Sequence, residues 1–562
     1  MKNAQKYRPL YYMPPDDSRN LDWTKKDRLD KAPVWCSVDL RDGNQSLIIP
    51  MSLDEKITYF KFLVGIGFKE IEVGFPAASD TEFEFIRTLI ESNLIPDDVT
   101  IQVLSQSRPH IIEKTFESVK GAKKAIVHLY NSTSFSQRQQ VFRMSEAEII
   151  KIAQEGAQQF NDHAAKMPET KFAFQYSPES FTGTEPEFAL EICNAVIDIW
   201  KPSAERQVII NLPATVETSM PHVYAQQVAY MSRNFNYREN VIVSIHPHND
   251  RGTGVAATEM ALLAGAQRVE GTIFGNGERT GNVDIVTLAL NLYTHGVNPG
   301  LDLSDMPGIV KIYEEINGLS VGPRQPYAGE LVFAAFSGSH QDAIAKGMNY
   351  RAEHGDDTWT VPYLPLDPAD VSREYEADVI RINSQSGKGG VSYIMENNFG
   401  YKLPTELRKE VGALITDISD KSHMEMSPQD IFNAFEREYI NLVTPLNLKR
   451  VDWRRLNDAT IADIDLVING VPQMLSGKGN GPLDAVSSAL RKADNETKIE
   501  FRFEDYSQHA IEAESDARAA AYVKITGSDG TSYWGVGVHN DTNVASLQAL
   551  LSAVNRKNHI AC

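Results

Sequence analysis

Val241-Ile242-Val243-Ser244-Ile245-His246-Pro247-His248-Asn249-Asp250 is the stretch on which the fold turns. The β-branched run Val241–Val243 reads as a buried parallel strand, and the polar residues after it as its carboxyl end entering a turn. Residues two apart on a strand project to the same side, so His246 and His248 offer two imidazoles to one point. Open and closed α/β sheets place their chemistry at that end of their strands. The spacing therefore points to a metal-ligand pair, against the plainer alternative of two loop histidines flanking a turn proline.

Seven further apolar runs surround this one: Pro33–Leu40, Glu70–Val73, Val99–Leu104, Ala125–Leu129, Phe172–Tyr176, Val208–Leu212 and Val269–Phe274. Longer helical stretches separate them. One opens on a capping box, Ser52-Leu53-Asp54-Glu55, and another is the Ala-rich Val255–Ala266. Eight βα units of this length predict an α/β fold, a closed (β/α)8 TIM barrel over residues 31–329 behind an amino-terminal arm of residues 1–30.

The chain has 562 residues, which exceeds what one core can hold. Residues 330–440 lack the strand–helix rhythm and carry Pro and Gly clusters, which predicts small α/β linker subdomains. Within them Asn383–Gly390 imitates a phosphate loop but lacks its leading glycine, and reads as a turn. Residues 441–562 contain a weak repeat: Ile464–Ile468, Ser476–Gly479 and Pro482–Leu490 recur as Tyr522–Thr526, Trp534–Gly537 and Ala545–Val554. Each copy reads strand, turn, strand, Gly turn, helix, which predicts an α+β regulatory domain of two pseudo-repeats that binds a small molecule.

A net charge of −20 disfavours nucleic acid and anionic membrane as partners. No apolar run is long enough to span a bilayer, and Met1–Tyr7 lacks the apolar stretch of a signal peptide. Cys36, Cys193 and Cys562 form no motif. These features together predict a cytoplasmic protein in a reducing compartment.

Polar residues crowd the carboxyl ends of the barrel strands. Arg41 and Asp42 follow the first strand, Glu72 closes the second, Gln106 with the apolar Leu104 closes the third, and His128 sits in the fourth. Ser177 and Glu179 follow the fifth, Asn211 and Thr215 the sixth, and Gly275–Asn282 the eighth. Asp42, His246, His248 and the amide oxygen of Asn282 make a mixed N/O set that suits Mg²⁺ foremost, or Mn²⁺ or Zn²⁺. Such a site leaves room for a chelating 2-oxo acid, whose ketone the metal polarises. Arg41 can stabilise an enolate or alkoxide oxygen or bridge to Glu72, and Glu179 is a candidate base.

Leu40–Gln45, Tyr176–Glu185, Asn211–Glu217, His246–Asp250 and Gly275–Asp284 together resemble the 2-isopropylmalate synthase family in its long form with a carboxyl-terminal regulatory domain. The resemblance implies a metal-dependent barrel that condenses acetyl-CoA with 3-methyl-2-oxobutanoate in the first committed step of leucine synthesis. It assigns Asp42, His246 and His248 to the metal, with Asn282 adjacent to or completing the shell, and Arg41 to the keto or enolate oxygen. His128, Ser177 and Thr215 would hold the keto acid's carboxylate and flank; Leu104 and Asn211 would shape the pocket for its isopropyl group. Glu179 falls in the same active site. The linker would supply His340 and Tyr363 across a homodimer, with His340 and Glu179 as rival bases. A monovalent cation such as K⁺ would be an activator.

The same resemblance implies feedback inhibition by leucine bound near Gly479, Gly481 and Leu483, opposite Val538–Asn543. Asp484 stands there in place of the expected small apolar residue, and the second copy carries the polar His539-Asn540-Asp541. Homocitrate and citramalate synthases share the Arg-Asp pair and the two strand histidines, and remain the alternative. A metal-dependent amidohydrolase carries its histidine pair on the first strand instead. A catalytically dead leucine sensor would not need Arg41, Asp42, His246 and His248.

Overall fold

The computed structural model describes residues 4–15, 19, 21–335, 337–355, 357–375, 388–422, 426–456, 458–492, 499–511 and 517–560. Two compact units divide the chain: Met1–Val332 with Leu366–Glu374, and Phe333–Pro365 with Tyr375–Cys562.

The first unit is a closed barrel of eight parallel strands in sequential order: β1 (Val34–Ser37), β2 (Glu70–Gly74), β3 (Thr100–Gln106), β4 (Lys124–Ser132), β5 (Lys171–Glu179), β6 (Val208–Ala214), β7 (Val241–Pro247) and β8 (Arg268–Gly271). Closure comes from β1 pairing with both β2 and β8, so Cys36 lies opposite Glu70 on one side and Glu270 on the other. Each of the seven pairs of consecutive strands is joined through a helix, the connection parallel strands require. The Ser52–Glu55 capping box forms as read, with Ser52 Oγ accepting from the Glu55 amide at 3.4 Å. β8 is shorter than its apolar run suggested. It stops at Gly271, and Phe274 turns through a positive φ of 53° instead of continuing the strand.

The second unit begins with the stretch expected to lack rhythm. Its helices among the described residues are Gly338–His354, Lys388–Asn397, Thr405–Ser422 and Pro428–Tyr439. Residues 383–387 of the phosphate-loop mimic lie outside the described residues. The repeat is then two three-stranded antiparallel sheets, β9 (Leu446–Leu456), β10 (Ala459–Ile468) and β11 (Val471–Gly479), and β12 (Phe501–Ala510), β13 (Ala519–Gly527) and β14 (Ser532–His539). Each sheet precedes a helix, Pro482–Leu490 and Thr542–Ile560. Each copy thus has one more strand, β9 or β12, than its sequence reading contained. Ala521, Val523 and Ile525 on one face of β13 join a core shared with both helices and β10. On its other face Ala520 and Tyr522 pack with Leu407, Val411 and Phe435 of the preceding helices.

The last strand of each copy lies against its helix through paired glycines. A Cβ on Gly477 would come within 2.1 Å of the Ala485 carbonyl, and one on Gly537 within 1.9 Å of the Ala545 carbonyl. Gly537→Ala is therefore expected to lower stability by about 1–3 kcal/mol. Gly481→Ala, whose Cβ would meet nothing within 4 Å, should stay within about 0.5 kcal/mol of the parent. Denaturant midpoints of the two variants check this, and equal midpoints would contradict it.

Candidate active site and metal centre

The carboxyl ends of the strands converge on a cavity of about 250 Å³ lined by Arg41, Asp42, Leu104, His128, Ser177, Glu179, Asn211, Thr215, His246 and His248, among others. Arg41 and Asp42 ride on a π-helical turn, Asp39–Gly43, directly after β1. Such turns are rare and cluster at functional sites. This one is held from below: the amides of Asp42 and Gly43 both donate to the Val38 carbonyl, at 2.9 and 3.1 Å. The Lys56 ammonium also donates to the Leu40 carbonyl at 3.3 Å.

One carboxylate oxygen gathers the imidazoles. Asp42 Oδ2 lies 3.5 Å from His246 Nε2 and 3.2 Å from His248 Nε2. The opposite ring nitrogens are engaged: His246 Nδ1 donates to Glu270 Oε2 at 2.8 Å, and His248 Nδ1 to the Thr215 carbonyl at 2.6 Å. Those bonds turn both Nε2 atoms toward Asp42, as metal-binding histidines require. Asn282 stands opposite His248 in an isolated β-bridge. Its Nδ2 donates to the Asn276 carbonyl at 2.9 Å, while its buried Oδ1 has no hydrogen-bond partner among the described residues. An orphaned buried oxygen beside two oriented imidazoles and a carboxylate fits a divalent cation. The loop bearing Asn282 folds tightly at Gly281, whose φ of +92° and close approach to the Gly275 carbonyl exclude a side chain.

Burial opposes charge on Asp42, yet the Arg41 guanidinium and the two imidazoles prevail and hold its carboxyl well below the usual range. Burial likewise works against a charged His246, but the Asp42 and Glu270 carboxylates outweigh it and push the imidazole up to about 9. Metal binding requires Nε2 free of its proton. Divalent affinity is therefore expected to fall about tenfold per pH unit below about 9. Calorimetry of Mn²⁺ binding between about pH 6 and pH 9 measures this slope, and a flat profile would refute the competition.

Arg41 forms the bridge to Glu72 considered for it. Its Nη1 sits 2.5 Å from Asp42 Oδ1, its Nε pairs with Glu72 Oε1, and it still faces the cavity. On the other side His128 Nδ1 meets Glu72 Oε2 at 2.9 Å, and its Nε2 meets Ser177 Oγ at 2.7 Å. Asn211 Nδ2 donates to Ser177 Oγ at 3.0 Å, and Thr215 Oγ1 accepts from the Ser180 amide at 2.9 Å. Glu179 accepts a hydrogen bond from Ser132. The sequence reading passed over Gln102, Gln175, Arg268 and Glu270, all fully buried beneath these groups. Their signal was a charged or amide residue inside an otherwise apolar strand, as in Arg268-Val269-Glu270-Gly271.

His340 and Tyr363 belong to the second unit, where their rings stack with centroids 3.9 Å apart. Tyr363 takes a positive φ of 64° and is 60% exposed. Gly479 ends β11, Gly481 caps the helix after it, and Leu483 packs on the repeat core. Asp484 turns back to accept from the Asn480 amide at 2.9 Å.

The barrel with its site falls in the HMGL-like class, whose family model matches residues 32–312. Residues 330–396 match the alpha-isopropylmalate synthase post-catalytic domain-like model, and 425–558 the LeuA allosteric (dimerisation) domain. A 2-isopropylmalate synthase of Desulfitobacterium hafniense is 56% identical over 558 residues, covering 99% of this chain and 98% of that protein. One from Helicobacter hepaticus is 55% identical, covering 98% of this chain and 99% of its own length. The chain belongs to the 2-isopropylmalate synthase family.

Proposed function

We infer that this protein condenses acetyl-CoA with 3-methyl-2-oxobutanoate and hydrolyses the thioester, giving 2-isopropylmalate and free CoA. The observation that carries this reading is the convergence of Asp42, His246 and His248 in one cavity with His128, Ser177 and Leu104, in a chain whose full length matches this family. Asp42, His246 and His248, with Asn282 Oδ1 beside them, would hold a divalent cation, Mg²⁺ first among candidates. The chemistry such an ion supplies is Lewis-acid polarisation of the 2-oxo group.

The chain's own groups account for the rest. Ser177, His128 and Thr215 hold the keto acid's carboxylate, while Leu104 and Asn211 bound its isopropyl group. A base, His340 with Glu179 orienting it, removes a methyl proton from acetyl-CoA. The resulting carbanion carbon bonds to the ketone carbon, and the ketone oxygen gains negative charge. Arg41 lies where that charge develops, and preorganised cations contribute most in a water-poor site. The alkoxide takes up a proton, and water then cleaves the C–S bond, leaving a carboxylate and the CoA thiol. In this reading His340 and Tyr363 act from the linker of a second subunit, so the working enzyme is a homodimer, with K⁺ as an activator and the cytoplasm as its location.

Thiol release from acetyl-CoA with a panel of 2-oxo acids tests the assignment. The 3-methyl-2-oxobutanoate reaction should lead the panel. A lead for 2-oxoglutarate or pyruvate would favour homocitrate or citramalate synthesis instead. No helix among the described residues is long and apolar enough to cross a membrane.

The carboxyl-terminal repeats are read as the leucine sensor, with binding near Gly479, Gly481 and Leu483. The Asp484 carboxylate at the start of that helix, where a small apolar side chain would suit the ligand better, is expected to weaken binding. Calorimetric titration with leucine should show saturable heat and a parallel loss of turnover; no heat and unchanged turnover would remove leucine control.

A further inference from the structure

Glu270 is fully buried and faces five hydrogen-bond donors. Its Oε1 accepts from Arg268 Nη1 at 2.8 Å, Gln102 Nε2 at 2.9 Å and Gln175 Nε2 at 2.7 Å. Its Oε2 accepts from His246 Nδ1 at 2.8 Å and Asn211 Nδ2 at 3.1 Å. The two oxygens thus divide their work: one is anchored to the barrel interior, and the other reaches two groups that face the cavity.

We propose that Glu270 is a positioning residue that presets the metal-binding and keto-acid-binding sides of the site at the same time. By accepting the Nδ1 proton it fixes the His246 tautomer and leaves Nε2 facing Asp42. By accepting from Asn211 Nδ2 it also decides which way that amide lies, since a carboxylate cannot face an amide oxygen. The same Nδ2 then donates to Ser177 Oγ at 3.0 Å, and Ser177 meets His128 Nε2 at 2.7 Å. One carboxylate oxygen therefore orders an imidazole and a serine on different strands. Gln102 steadies the arrangement. Its Oε1 accepts from Arg268 Nη2 at 2.8 Å, so its Nε2 is free to donate to Glu270 and, at 2.6 Å, to Glu72.

A neutral amide at position 270 has an NH2 group that would face donors wherever it turned, whereas Asp keeps the charge but withdraws it by one methylene. The inference rests on reading Asp42, His246 and His248 as the metal ligands, and the test separates the two. Calorimetry with the full chain measures Mn²⁺ affinity, and separately the affinity of the metal-free protein for 3-methyl-2-oxobutanoate, for the parent, Glu270→Gln and Glu270→Asp. Both variants, checked as folded by circular dichroism, should bind Mn²⁺ roughly 10–100-fold more weakly and bind the 2-oxo acid more weakly too. A parent that binds no Mn²⁺ would sink the metal reading itself. Folded variants that match a binding parent in Mn²⁺ affinity, or that lose metal affinity while keeping full 2-oxo acid affinity, would overturn the double role. Failure of both variants to fold would also overturn it, leaving Glu270 a structural residue.

Discussion

Asp42→Asn should remove measurable divalent-metal binding and lower turnover on the order of 10³-fold, because Lewis-acid polarisation contributes several kcal/mol and each 1.36 kcal/mol is a factor of ten. The substitution keeps the shape of the side chain, so the fold should survive it. What it removes is the negative charge at the one oxygen that both imidazole Nε2 atoms face, at 3.5 and 3.2 Å. It also leaves Arg41 with Glu72 as its remaining carboxylate partner among those bonded to it here. Calorimetry with Mn²⁺ and thiol release at saturating substrate measure the two effects. A variant that turns over at near-parental rate would show that the convergence of Asp42, His246 and His248 is structural.

His340→Ala should cost roughly 10²–10⁴-fold in turnover, the contribution of a positioned general base, with subunit assembly unchanged by light scattering. Tyr363→Phe separates two ways the neighbouring ring could matter. The stack on His340, at 3.9 Å between centroids, survives loss of the hydroxyl. A small effect for Phe together with a large one for Ala at 340 would mean that the tyrosine positions the imidazole. A comparable loss in both would mean that the hydroxyl takes part in proton transfer. Near-full turnover in His340→Ala would leave Glu179 as the base.

The barrel was legible because parallel strands buried on both faces must be apolar, and eight such runs at βα spacing admit few other architectures. His246 and His248 were legible for a related reason: two residues apart on a strand is a geometric statement, not a statistical one. Glu270 was not. A carboxylate in Arg268-Val269-Glu270-Gly271 has one local partner, Arg268; its other four donors arrive from β3, β5, β6 and β7, and only the folded barrel brings them together. The leading strands of the two repeats were hidden differently. β9 carries Lys449, Arg450, Asp452, Arg454 and Arg455, and β12 is mostly exposed with a register shift between Phe503 and Asp505. Edge strands bury little, so their sequences keep no clean alternation. The linker defeated periodicity because its Pro and Gly clusters read as breaks.

The two imidazoles of the site differ in one respect that evolution would notice. His248 hands its Nδ1 proton to the main-chain carbonyl of residue 215, an acceptor that every amino acid at that position supplies. His246 hands its own to a side chain, Glu270, which a single codon change can delete. Mutational drift can therefore strip support from one ring but not from the other, and the lineage's tolerance for change in this site should be lopsided, strict at 270 and lenient at 215 as far as ring orientation is concerned.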